Sequence, residues 1–126
     1  MVNLHVNLKV MRKEVVLYNK PNGDYPVEQF LESLPVKVSQ KIVWVVHLIE
    51  DLERVPAQYF SKMSGSDDVW EFRIKLGSNI YRVFAFFDGH KVVLTNGFVK
   101  KTSKTPPGEI SRAEEYKREY FSRRRD

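Results

Sequence analysis

VWEFRIKLGSNIYRVFAFFDGHKVVLTNGFVKKTSK, Val69 to Lys104, holds three runs of apolar, β-branched and aromatic residues. Two short turns separate them, Gly77-Ser78-Asn79 and Asp88-Gly89. This is the pattern of a three-stranded antiparallel meander. The same stretch concentrates the charge of the chain. It carries seven basic residues (Arg73, Lys75, Arg82, Lys91, Lys100, Lys101, Lys104) and two acidic ones (Glu71, Asp88). The difference, 7 − 2 = +5, equals the formal net charge of the whole chain, so the rest of the sequence balances to zero.

Successive side chains of a strand point to opposite faces. In the first run Trp70, Phe72, Ile74 and Leu76 fall on one face, and Glu71, Arg73 and Lys75 on the other. In the second, Tyr81, Val83, Ala85 and Phe87 oppose Ile80, Arg82, Phe84 and Phe86. The third run ends in Lys100-Lys101, just past Gly97. Arg73, Lys75, Arg82 and one of those lysines can therefore share a sheet face. Clustered arginine and lysine on a half-open sheet suit a phosphate-bearing ligand, because guanidinium bridges two phosphate oxygens. A solvated outer face is the other reading of the same pattern.

At 126 residues the chain has the length of one domain, and 42% apolar with 13% aromatic content describes a packed globule. A pI near 9.5 favours polyanionic partners. Without cysteine, disulfides and thiolate-held metals are excluded. No apolar run approaches a membrane span, and residues 2–10 lack a signal-peptide core, so a cytoplasmic protein with no membrane association is expected.

The flanks add helices. Residues 2–10 alternate strictly, Val2, Leu4, Val6, Leu8 and Val10 against polar neighbours. Residues 1–12 are thus either an additional strand or an extension upstream of a start at Met11. Glu14–Tyr18 is strand-like. Pro26 opens a short helix over Val27–Ser33, and a longer one runs from about Pro35 to Arg54 with the stripe Val38, Ile42, Val45, Ile49 and Leu52. Trp44 is expected to be partly buried against the short helix, and His47 to lie on the surface. Tyr59-Phe60-Ser61-Lys62 is placed to extend the sheet, and Lys62 to join its basic face. Ile110, Ala113, Tyr116 and Tyr120 form the stripe of a terminal helix, followed by a basic tail at residues 122–126. The fold class is α+β: a helical hairpin on one face of a mainly antiparallel twisted sheet, with a C-terminal helix at its end.

Five segments carry a resemblance. They are Trp70-Glu71-Phe72-Arg73, Tyr81-Arg82-Val83-Phe84, Val92-Val93-Leu94-Thr95-Asn96-Gly97-Phe98, Lys100-Lys101-Thr102-Ser103-Lys104-Thr105-Pro106 and Glu109-Ile110-Ser111-Arg112-Ala113. In this order and spacing they resemble the core of HigB-like toxins of the RelE superfamily, including the phage-derived HigB branch. With the upstream helices the likeness covers roughly residues 13–121. It implies a RelE-like fold and the toxin of a type II toxin–antitoxin pair. It also implies a metal-independent endoribonuclease, an mRNA interferase that cuts messenger RNA on the ribosome. The implied partner is a HigA-like helix-turn-helix antitoxin.

Cleavage of this kind uses the ribose 2′-OH as nucleophile, so fixed cations must stabilise charge on the scissile phosphate. By resemblance Arg82 matches the arginine on that phosphate. Arg73 and Lys75 match basic residues of the preceding strand, and Lys100 or Lys101 a basic position ending the last strand. Lys62, Lys91 and Lys104 are further candidates for RNA contact. His90, beside the Asp88-Gly89 turn, and Glu71, which shares the face of Arg73 and Lys75, are the candidate acid and base. Each has a simpler reading, a turn histidine and a salt-bridge partner. Metal-ligand spacings and phosphate-binding glycine loops are absent from the sequence, and neither metal nor cofactor is expected. Because no clear acid–base pair stands out, a non-catalytic RNA-binding or complex-forming relative is the alternative function.

Overall fold

The alternation between Trp70 and Lys100 becomes the centre of a five-stranded mixed sheet. The computed structural model describes residues 13–52, 54–100 and 106–124. In chain order these form β1 (Glu14–Leu17), α1 (Pro26–Glu32), α2 (Val36–Asp51), β2 (Phe60–Lys62), β3 (Trp70–Leu76), β4 (Asn79–Asp88), β5 (Lys91–Lys100) and α3 (Pro107–Arg124). The strand order is β1-β5-β4-β3-β2. The meander β3-β4-β5 and its extension by β2 are antiparallel, and β1 joins β5 in parallel. Gly77 and Gly89 lead the two hairpin turns at φ +59° and +61°, a conformation that costs glycine little.

The inner face of the sheet carries the main core. Phe72, Ile74, Tyr81, Val83, Ala85, Val92 and Leu94 pack against Val27 of α1 and Ile42, Val45, Val46 and Ile49 of α2. The 4-3-4 spacing of α2 explains this face. Leu52 falls past the end of that helix and is exposed, so the stripe stops at Ile49. Trp44 is also exposed, contrary to the expected packing against α1. Gly97 is where α1 meets the sheet. A Cβ there would stand 2.4 Å from the ring of Phe30, so the close approach requires glycine.

The terminal helix corrects the expected layout. It does not cap the end of the sheet but lies across the outer face, opposite α1 and α2. Ala113 and Ile110 pack with Val69, Phe84 and Phe98, while Tyr116, Tyr120 and Phe121 pack with Tyr18, Phe86 and Val93. Residues up to Arg124, expected to begin a basic tail at 122, belong to the helix. Arg123 donates to the Asn19 carbonyl and pairs with Glu119 at 2.8 Å, and Arg124 pairs with Asp88. These acceptors hold the last turn. Residues 1–12, 53, 101–105 and 125–126 lie outside the described residues, and with them the expected first strand.

One irregularity sets the site. Val83 pairs with Gly97 but Ala85 with Leu94, so β5 carries one extra residue in a bulge. Thr95 and Asn96 fill it, both buried. The Thr95 hydroxyl donates to the Phe84 carbonyl at 3.2 Å, and the Asn96 amide donates to the Glu109 carbonyl at 3.2 Å. The bulge thus ties the start of α3 to the sheet and reverses the facing of every later residue of β5.

Candidate nucleic-acid interface

The outward side chains of β4 are Ile80, Arg82, Phe84, Phe86 and Asp88. Helix α3 covers the last three. Arg82 and Ile80 lie on the half of the face beyond it. Arg73 stands directly opposite Arg82 on β3, and Lys75 opposite Ile80. On β5 Phe98 stands opposite Arg82 and Lys100 opposite Ile80. Regular alternation would have turned Lys100 inward with Val92 and Leu94; the bulge turns it outward. Four cations, Arg73, Lys75, Arg82 and Lys100, therefore meet on one open half-face with one carboxylate, Glu71.

The four differ sharply in environment. The Arg82 guanidinium donates to the Glu71 carboxylate, and the two side chains are only 7% and 5% exposed. Arg82 Nε is buried without a hydrogen-bond acceptor. This pair is what a buried arginine needs, because an isolated charge there would be costly. Glu71 is thus a salt-bridge partner here, of Arg82 and not of Arg73 or Lys75. Arg73 and Lys75 are exposed and Lys100 half-buried, and no described carboxylate forms an ion pair with any of the three. Burial, then the neighbouring charge of Arg82, holds Lys100 below the ordinary lysine range; Glu71 opposes this and Arg73 adds to it.

The remaining candidates are not brought to this face. Lys62 stands opposite Trp70, on the other side of the sheet, and its ammonium pairs with Asp68 at 2.7 Å. His90 and Lys91 sit at the β4–β5 turn. Six residues of β4 separate that end from Arg82, about 20 Å along a strand. His90 faces Glu14, with 3.6 Å between Nε2 and Oε1. His90 therefore does not serve as an acid or base beside Arg82, because the hairpin sends its turn to the opposite end of the sheet. His47 is exposed and hydrogen-bonded to Glu50 at 2.6 Å. Lys101 and Lys104 lie outside the described residues.

Sequence reading missed Lys41. It lies on α2, thirty-odd positions from β3, yet lines a cleft of about 370 Å³ with Val45, Gln58, Tyr59, Arg73, Ile74 and Lys75. No linear pattern links a helical lysine to a strand it meets only after docking. Among the described residues no group of three or more histidine or carboxylate side chains is arranged to hold a metal ion. No helix among them is long and apolar enough to cross a membrane.

Fold and face together define a small α+β protein with an anion-receptive half-sheet. The chain belongs to the family described as phage-derived Gp49-like protein (DUF891), whose model matches residues 29–118. That family is a RelE/HigB-like toxin family of toxin–antitoxin systems. The matched span runs from α1 to two-thirds of the way along α3 and includes all four cations. No curated protein matches the chain.

Proposed function

We propose that this protein is the mRNA-cleaving toxin of a type II toxin–antitoxin pair, a single RelE-like domain of the HigB branch that cuts messages on the ribosome. The observation that carries this reading is the gathering of Arg73, Lys75 and Lys100, three cations without a partner carboxylate, around the buried Arg82–Glu71 pair. Fixed positive charge that is not neutralised locally is what a phosphate gaining charge requires.

The environments divide the work. Arg73, on the strand beside Arg82, reaches the phosphate first. Arg82, drawn in by Glu71, is a positioning residue: it holds β3 and β4 in register and adds its charge from behind. Lys100 is the proton acceptor. Its lowered pKa leaves more of the neutral amine available at a given pH than an ordinary lysine has. The ribose 2′-oxygen gives its proton to Lys100 and bonds to phosphorus. The bond to the 5′-oxygen breaks, and that oxygen leaves as a hydroxyl after taking a proton from solvent water. The products are a 2′,3′-cyclic phosphate and a 5′-hydroxyl end.

A helix-turn-helix antitoxin of the HigA kind is the proposed inhibitor. The non-catalytic RNA-binding reading is favoured by one observation: the only described carboxylate on the half-face, Glu71, is consumed by Arg82, and no described histidine shares that face. Inducible expression in a bacterium separates the two. Wild type should arrest growth and produce in-frame mRNA cuts with 5′-hydroxyl ends, and Arg73→Ala and Lys100→Met should each abolish both. Normal growth with soluble wild-type protein and no new ends would sink the nuclease reading, and RNA binding without cleavage would put the binding module in its place.

A further inference from the structure

The cationic half-face does not end at β3. β2 pairs with Trp70–Phe72, and the Arg73 N–H still donates to the Tyr59 carbonyl at 2.8 Å; past Arg73 no described strand lies beside β3 on that side. At that edge opens the cleft lined by Lys41, Gln58, Tyr59, Arg73 and Lys75. Three of its side chains are cationic and none is acidic. Trp44 does not line the cleft itself, but it is 53% exposed and the ammonium of Lys41, which does, lies 4.3 Å from the centre of its ring. Arg73 and Lys75 belong to both surfaces, so an anionic chain leaving the half-face meets no interruption.

We propose that this cleft seats the single-stranded RNA flanking the scissile phosphate. Lys41 and Lys75 neutralise a backbone phosphate, Trp44 offers its ring to a base, and Gln58 offers an amide to a base edge. The assignment rests on the RNA-cleaving reading and extends its site to α2. A cation-lined groove with an aromatic platform is how proteins hold single strands, since every base has a face to stack. An acidic protein segment would use the lysines, but its carboxylates have no aromatic face to lay on the tryptophan ring, whereas every base does.

The test measures binding of full-length protein to a short, fluorescently labelled 2′-O-methyl oligoribonucleotide, which cannot be cut by 2′-OH attack. Trp44→Ala should weaken binding about tenfold. Lys41→Glu should weaken it and flatten the dependence of log affinity on log salt by about 0.7, one phosphate contact on a single strand. Arg118→Glu, the same charge change on exposed α3, should leave that slope within error. If Lys100→Glu lowers affinity while Lys41→Glu and Trp44→Ala match wild type, the cleft assignment is wrong and the half-face survives. If wild type itself does not bind the oligonucleotide, the reading of the half-face fails and the cleft falls with it. Poly-glutamate binding that depends on Lys41, with RNA affinity unchanged, would overturn the RNA assignment in favour of an acidic partner.

Discussion

The outer face of the sheet is divided in two by α3, and its halves treat charge in opposite ways. Under the helix the described charges that face the sheet are paired. Asp88 accepts from Tyr120 at 2.7 Å and from Arg124. Tyr18 donates to Glu119 at 2.6 Å, stacks on Tyr116 at 4.7 Å and lies beneath Arg123. Burial would raise the Asp88 carboxyl, but the Tyr120 hydroxyl and the Arg124 guanidinium outweigh it and hold it below the usual carboxylate range. Beyond the helix Arg73, Lys75 and Lys100 stand together with no described carboxylate of their own. Like charges at this proximity oppose folding. Two of these cations are exposed and Lys100 is half-buried, so the cluster adds nothing evident to stability.

The largest expected effect lies on the border between the halves. Glu71→Ala leaves Arg82 buried and uncompensated, and should cost about 3–5 kcal/mol in urea unfolding. The double variant E71L/R82M should recover most of that loss, because a buried pair replaced by apolar residues of similar volume is often neutral or better. If E71A were as stable as wild type, the pair would not be the structural clamp described above.

Next comes the covered half. Asp88→Asn should cost about 1.5 kcal/mol near neutrality, where the carboxylate accepts charge-assisted hydrogen bonds. The sign with pH follows from the lowered carboxyl. Its contribution is complete above about pH 4, the unfolded value, and fades as pH falls through the still lower folded value. Wild type and variant should therefore converge in acid. A gap that stayed constant down to pH 2 would show that packing, not ionisation, carries the effect.

The smallest effect has the opposite sign. Lys100 is depressed by burial and by its cationic neighbours, so its charged form is favoured in the unfolded chain. Lys100→Met should leave stability unchanged or raise it by about 0.5 kcal/mol at neutral pH. That gain should vanish as pH rises into the ordinary lysine range. The same variant is expected to lose RNA cleavage. A stability loss at pH 7 with cleavage intact would reverse the contrast between the halves and make Lys100 structural.

How much of this was legible beforehand depended on how local each signal was. The two hairpins and the faces of β3 and β4 follow from period-two alternation and from Gly77 and Gly89. The core face of α2 follows from its 4-3-4 spacing. Glu71 was rightly grouped with Arg73, but whether it was a base or a clamp depended on how deeply Arg82 sank, which alternation does not report. His90 and Lys91 were drawn into the candidate site by sequence proximity, whereas a hairpin turn sits at the far end of both its strands. Trp44 was expected to be partly buried against α1 from its place on the helix, but it is exposed.

The sequence by itself determined the meander, its positive charge and which residues of β3 and β4 face outward, because each is fixed within a few bonds by pleat and turn geometry. Tertiary structure alone decided the rest. The buried Thr95-Asn96 bulge chose Lys100 for the outer face. The docking of α3 left half of that face open. The packing of α2 against the sheet brought Lys41 to the edge of β3. Each depends on contacts between residues far apart in the chain, and the free energy of such contacts is set by the packed neighbours and not by the local sequence.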